Sequence, residues 1–168
     1  MRILGLDPGY GITGFGLIEA QRNQFQLLRC GAITTPAGMD FSARLEIIYE
    51  DMKKLLETAK PDAVAIEELF FGQNVTTGIG VAQSRGVILL AIQQAGLKVY
   101  SYKPMQVKQA LVGYGGATKH QMQDMTMRLL HLKEMPKPDD AADAIAIALC
   151  HARSATSLLA QVHNQQGR

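Results

Sequence analysis

The chain has 168 residues, 47% hydrophobic and 19% charged, with a formal net charge of +2. That length suits one globular domain of ordinary size, and the composition excludes a disordered chain and a disulfide-dense scaffold. No uncharged apolar run approaches the roughly 18 residues that a membrane-spanning helix needs.

In chain order, Met1-Arg2 leads straight into a strand pattern, so no secretory leader is expected. Ile3-Leu4-Gly5-Leu6 is an unbroken, mostly apolar run, which predicts a central strand covered on both faces. It stops at Asp7, and Pro8-Gly9 then marks a turn, so Asp7 sits at the strand's exit. Gly9, Gly11, Gly14 and Gly16 are read as punctuating a turn into a second strand, Thr13 to Glu19. Gln21-Arg22-Asn23 turns the chain into a third strand, Gln24 to Thr34, and turns this short imply antiparallel neighbours.

Asp40 caps a helix over Phe41 to Ala59, whose Phe41, Leu45, Ile48, Met52, Leu55 and Leu56 follow helical spacing. A fourth strand, Ala63 to Ile66, ends on Glu67 and repeats the pattern of the first. A second helix is predicted over residues 76–95 and is apolar all round at Val87 to Ile92, so more than one side of it is covered. A fifth strand runs from Lys98 to Tyr102, and Pro104 opens a short helix. Thr118 and Gln121 form a capping box for a helix through Leu132. Pro136 and Pro138 end that segment, and Asp139 is expected to cap a last helix ending near Ala155. Residues 156–168 read as a polar, frayed tail behind a single domain of residues 1–155. Antiparallel strands followed by βα crossovers predict an α/β fold, a mixed five-stranded sheet with helices on both faces.

The charge is uneven along this order. Residues 1–97 hold 8 Lys and Arg against 10 Asp and Glu, and residues 98–168 hold 9 against 5. Between Glu68 and Asp124 there is no acid, while Arg85, Lys98, Lys103, Lys108 and Lys119 fall inside, a balance that favours a polyanion as neighbour. Cys30 and Cys150 form no Cys-x-x-Cys and read as reduced thiols of a cytosolic protein.

The chemistry rests on acids. If the first and fourth strands are parallel neighbours, Asp7 and Glu67 meet at the carboxyl end of the sheet, where open α/β folds bind ligands. Asp140 and Asp143, three residues apart on the last helix, share one face. Asp143 is flanked by Ala142, Ala144 and Ile145, so its carboxylate is expected to be buried or paired. Four acids without a local cation call for something positive between them, and all-oxygen ligands suit Mg²⁺ or Mn²⁺. Two such ions would activate water and stabilise the leaving oxygen of a phosphodiester.

Ile3-Leu4-Gly5-Leu6-Asp7-Pro8-Gly9, Ala65-Ile66-Glu67, Gln83-Ser84-Arg85-Gly86, Gln106-Val107-Lys108-Gln109 and Asp140-Ala141-Ala142-Asp143-Ala144 together resemble the RuvC family of crossover-junction endodeoxyribonucleases, collinearly over residues 1–155. The resemblance implies a ribonuclease H-like fold, with Asp7, Glu67, Asp140 and Asp143 as metal ligands. It also implies a homodimer that nicks two opposed strands of a Holliday junction after branch migration by RuvA and RuvB. Phe70 matches the family's junction-stacking phenylalanine, and Lys108 and Lys119 match its two basic residues near the cut strand. Arg85 and Lys103 are further candidate DNA contacts. Asp139 stands beside Asp140; motif register and the expected capping role of Asp139 favour Asp140 as the ligand. Two other readings compete. Asp7-Pro8-Gly9-Tyr10-Gly11 would pass for the first phosphate loop of an actin- or sugar-kinase-like ATPase, but that architecture needs two such domains. A related nuclease acting on RNA, or a non-catalytic nucleic-acid module, would share the basic stretch.

Overall fold

The computed structural model describes residues 1–69 and 75–166, with side chains described for 1–69 and 78–155. The strands are β1 (Arg2–Asp7), β2 (Ile12–Gln21), β3 (Gln24–Thr34), β4 (Ala63–Glu67) and β5 (Val99–Tyr102). The helices are α1 (Phe41–Ala59), α2 (Val75–Gln94), α3 (Pro104–Val112), α4 (Lys119–Leu130) and α5 (Asp139–Gln166). They build one five-stranded sheet in the order β3-β2-β1-β4-β5. The first three strands pair antiparallel, and β1, β4 and β5 pair parallel, as the element order predicts.

Successive residues of a strand point to opposite faces, and the central strands use this to serve two cores. Leu4, Leu6, Val64 and Ile66 pack with Ile48 and Met52 of α1 and Ile88 and Ile92 of α2. Ile3 and Ala65 pack on the other face with Ile145 and Leu149 of α5 and Val107 of α3. Both faces are covered, which explains the unbroken apolar runs of β1 and β4.

Caps follow sequence chemistry at two helices. The Asp40 carboxylate accepts from the Ser42 and Ala43 amides at 3.1 and 3.3 Å. Thr118 and Gln121 close the capping box of α4, and His131, at φ 52°, ends that helix two residues before the expected Leu132. Three expectations need correction. Asp139 is the first residue of α5 and not its cap; the Pro138 carbonyl accepts from the Ala141 amide at 3.0 Å and starts the helix. The helix does not stop near Ala155 but continues to Gln166. Gly14 and Gly16 are not turn residues: they lie inside β2, beneath α5. Among the described residues no helix is long and apolar enough to cross a membrane.

Candidate active site

The condition set by the sequence is met. β1 and β4 are parallel neighbours, with Leu6 opposite Ile66, so the next residues, Asp7 and Glu67, leave the sheet side by side. The segment after Asp7 is held firmly. The Gly9 carbonyl accepts hydrogen bonds from the hydroxyls of Thr13 at 2.6 Å and Ser84 at 3.1 Å. Beyond it, the Tyr10 carbonyl accepts from Thr35 Oγ1 at 2.6 Å, and the Arg44 guanidinium lies 4.9 Å over the Tyr10 ring.

The other acids arrive through α5. Gly14 pairs with Asp7 across β1 and β2, and the Asp140 backbone rests directly on Gly14. A glycine there, with no side chain in the way, lets the helix start come down beside Asp7. Asp143 follows one turn later. Asp7, Glu67 and Asp143 then share a cleft of about 240 Å³ with Lys108 from α3 and Lys119 from α4. A larger cavity, about 570 Å³ and lined by residues such as Leu56, Ala91 and Leu97, lies at the opposite end of the sheet, away from these acids.

The electrostatics of the cleft are those of crowded carboxylates. Asp7 is pushed up from its ordinary 3.8 to about 8, first by burial, then by the charges of Glu67, Asp143 and Asp140. Its contact with the Glu67 carboxylate raises it further. Burial also raises Glu67, with the Asp7 hydrogen bond opposing and Asp143 adding. Asp143 is raised by partial burial of its carboxylate, while the Lys119 charge pulls the other way. The residue as a whole is nonetheless exposed, so of the two outcomes expected for its carboxylate, buried or paired, burial is corrected: Asp143 lines an open cleft together with Lys119. Lys119 Nζ pairs with Asp139 at 2.8 Å, which places Asp139 on the outer rim.

This donor set is all carboxylate oxygen and short of positive charge, which is what a hard divalent cation takes up. As the side chains stand, no group of three or more His, Cys, Asp or Glu among the described residues is able to hold an ion, so the acids are gathered but not closed into a finished shell.

The remaining candidates separate. Lys103 is exposed at the start of α3, outside the cleft, where its backbone amide donates to Gln106 Oε1 at 2.8 Å. Arg85 turns inward, its Nε on the Glu67 carbonyl at 3.1 Å and its Nη2 on Ser101 Oγ at 2.9 Å. Phe70 lies outside the described residues. Sequence reasoning missed the roles of Thr13 and Ser84 and the seat that Gly5 and Gly14 make for α5. The available signal was small residues on β1 and β2 matched by the alanines around Asp140 and Asp143.

Comparison with known proteins agrees with this architecture. Residues 3–151 match the family model "Crossover junction endodeoxyribonuclease RuvC". The RuvC of Brevibacillus brevis is 55% identical over 153 residues, covering 91% of this chain and 92% of that protein. The structure of Thermus thermophilus RuvC in complex with Holliday junction substrate superposes with a TM-score of 0.88 at 37% identity, covering 94% of this chain and 96% of that one. The yeast mitochondrial Holliday junction resolvase, 14% identical with a TM-score of 0.74, shares the fold. An acid pair at the exits of neighbouring parallel strands, a second pair delivered by α5 and a match over nearly the whole chain lead to one assignment: the chain belongs to the RuvC family of crossover junction endodeoxyribonucleases.

Proposed function

We propose that this chain is a structure-selective endonuclease that resolves Holliday junctions by two symmetric nicks in recombination and repair. The observation that carries the reading is the cleft at the β1 and β4 exits, where carboxylates from three elements face two lysines. RuvC-family nucleases are metal-dependent; here Asp7, Glu67, Asp140 and Asp143 would hold Mg²⁺, or Mn²⁺ in its place, as two ions. When bound, the metal supplies an activated water and charge neutralisation at the cut phosphate. The chain's own residues do the rest. The parallel pairing of β1 and β4 holds the Asp7 and Glu67 carboxylates side by side at the two strand exits. Lys108 and Lys119, which line the same cleft as the acids, offset the charge developing on the scissile phosphate. Residues 1–155 form the nuclease domain, working in the cytoplasm with RuvA and RuvB.

Incubation with a synthetic four-way junction, a linear duplex and an RNA–DNA hybrid, each with Mg²⁺, tests this. Paired cuts in the junction alone are expected; preferential cutting of the hybrid would move the protein to the RNA-acting nucleases. Mn²⁺ should also support cleavage, whereas Ca²⁺, larger and looser in geometry, should permit binding with little turnover. Zinc-dependent cutting that survives removal of Mg²⁺ would contradict a carboxylate site.

The lysines make a separate prediction. Lys108→Ala and Lys119→Ala should each slow cleavage about a hundredfold, as loss of one charge-stabilising group does, while junction affinity changes little. If instead binding weakens together with its salt dependence, they are ordinary phosphate contacts.

Two equivalent strands call for two sites related by a two-fold axis, hence a homodimer. Helix α2 supports this: Ile79 and Leu90 are 53% and 52% exposed on a helix whose Ile88, Ala91 and Ile92 are buried in its own chain. Gly86 is open to close approach, whereas Gly80 faces Tyr10 of the same chain and offers nothing to a second copy. Leu90→Glu should therefore give a monomer by sedimentation with an unchanged circular dichroism spectrum. Val87→Glu should lose the fold as well, because Val87 packs on the core. A Leu90→Glu protein that still sediments as a dimer excludes this face.

A further inference from the structure

Two consecutive residues of α2 reach the backbones of both strand exits. Ser84, wholly buried, donates its hydroxyl to the Gly9 carbonyl at 3.1 Å, two residues beyond Asp7. Arg85 donates from Nε to the carbonyl of Glu67 itself at 3.1 Å and from Nη2 to Ser101 Oγ on β5 at 2.9 Å. Adjacent strands lie roughly 4.8 Å apart, so two neighbouring side chains of one helix turn suffice to span them. The Ser84 and Arg85 Nε bonds land on main chain, at Gly9 two residues past Asp7 and at Glu67 itself, and leave both carboxylates free, while the Nη2 bond anchors the guanidinium on β5. A planar guanidinium suits this task because its donors are fixed in a fork, which an ammonium on a flexible stem cannot reproduce.

We propose that Ser84 and Arg85 are a positioning pair that fixes the separation and aim of Asp7 and Glu67, and that Arg85 serves metal binding and not DNA contact. The inference rests on the reading of these acids as metal ligands. Residues that orient ligands without touching the ion commonly change metal affinity by about 10- to 100-fold when removed. A phosphate-contacting arginine behaves otherwise: its loss leaves metal binding alone, weakens junction binding and reduces the salt slope by about one.

The test is calorimetric titration of the full chain with Mn²⁺ in the absence of DNA, alongside junction binding at several salt concentrations and thermal melting. Arg85→Gln and Arg85→Lys should both weaken Mn²⁺ binding at least tenfold, with junction affinity and its salt slope close to wild type. Failure of lysine to rescue shows that the fork and not the charge is needed. Ser101→Ala, which removes one Arg85 contact without altering any charge, should shift Mn²⁺ affinity in the same direction by a smaller factor and covers the case in which an Arg85 variant does not fold. Ser84→Ala should match it. A variant that melts earlier but binds Mn²⁺ as wild type does would make the pair merely structural and overturn the proposal. So would rescue by lysine together with a reduced salt slope in Arg85→Gln. If the wild-type protein itself takes up no Mn²⁺, the metal-site reading fails and takes this inference with it; equal Mn²⁺ affinity in wild type and Arg85→Gln overturns the inference alone.

Discussion

Asp7→Asn should lower junction cleavage by at least about a thousandfold, equivalent to roughly 4 kcal/mol in the barrier, while junction affinity stays within about twofold. The same substitution should raise the stability of the metal-free protein, and the size of that gain should depend on pH. Asp7 binds its proton up to about pH 8 in the folded chain, against an ordinary value of 3.8. Between those values folding takes up a proton that the unfolded chain has released, so stability falls as pH rises from about 4 to about 8. Glu67 and Asp143 are raised as well and act with the same sign. Below about pH 4 both states are protonated and the effect vanishes. Asparagine has no proton to lose, so Asp7→Asn should flatten the slope and show its largest gain at the alkaline end. Saturating Mg²⁺ should flatten the wild-type slope too, because the cation replaces the proton as the positive partner. Melting curves from pH 4 to pH 9, with and without Mg²⁺, check all of this. A variant that is less stable than wild type at every pH would show that Asp7 supports the fold and not the chemistry.

Gly5→Ala and Gly14→Ala should be among the most damaging substitutions in the chain, although each adds a single methyl group. That methyl at Gly5 would lie 1.9 Å from the Ala144 carbonyl oxygen and 2.8 Å from the Ala148 amide nitrogen. At Gly14 it would lie 2.0 Å from the Asp140 carbonyl oxygen. Both clashes are with helix backbone, which has no rotamer to step aside, so α5 as a whole must lift from the sheet. Overpacking of this kind costs about 3 kcal/mol or more, and a loss of that size should lower Tm by roughly 10 °C in a domain of this length. Gly14→Ala has a second consequence, because the helix start that it displaces carries Asp140. The fraction that remains folded should cleave far more slowly even at saturating Mg²⁺, and the folded fraction of Gly5→Ala, which meets the helix at Ala144 beside Asp143, should be slowed as well. Melting and single-turnover cleavage measured on the same samples separate the two effects. A Gly14→Ala protein with wild-type Tm and rate would mean that α5 does not sit where this structure places it.

How far the residues alone reach follows from where the information lies. Caps, turn residues and apolar periodicity act over a few residues, so β3, α1 and β4 were legible to the residue, and so was the mixed sheet implied by their order. The burial of β1 and β4 on both faces was legible from unbroken apolar runs, and with it the placement of Asp7 and Glu67 at strand ends. Other features depend on what packing brings together from distant positions. That Asp7 would keep a proton to about pH 8 required the neighbours that burial imposes, since Asp140 and Asp143 come from the far end of the chain. The exposure of Asp143 removed one of the two outcomes its neighbours suggested: Ala142 and Ala144 on either side are buried, while Asp143 between them opens into the cleft. Asp139 looked like a cap because acids favour helix starts, yet Lys119, twenty residues away, claims its carboxylate. Gly14 looked like a turn residue because glycine usually is one; its role as the seat of α5 exists only once a helix from the other end of the chain lies across it. Arg85 read as a candidate DNA contact because a charge in a sequence has no direction; in the fold its Nε donates to the backbone carbonyl of Glu67.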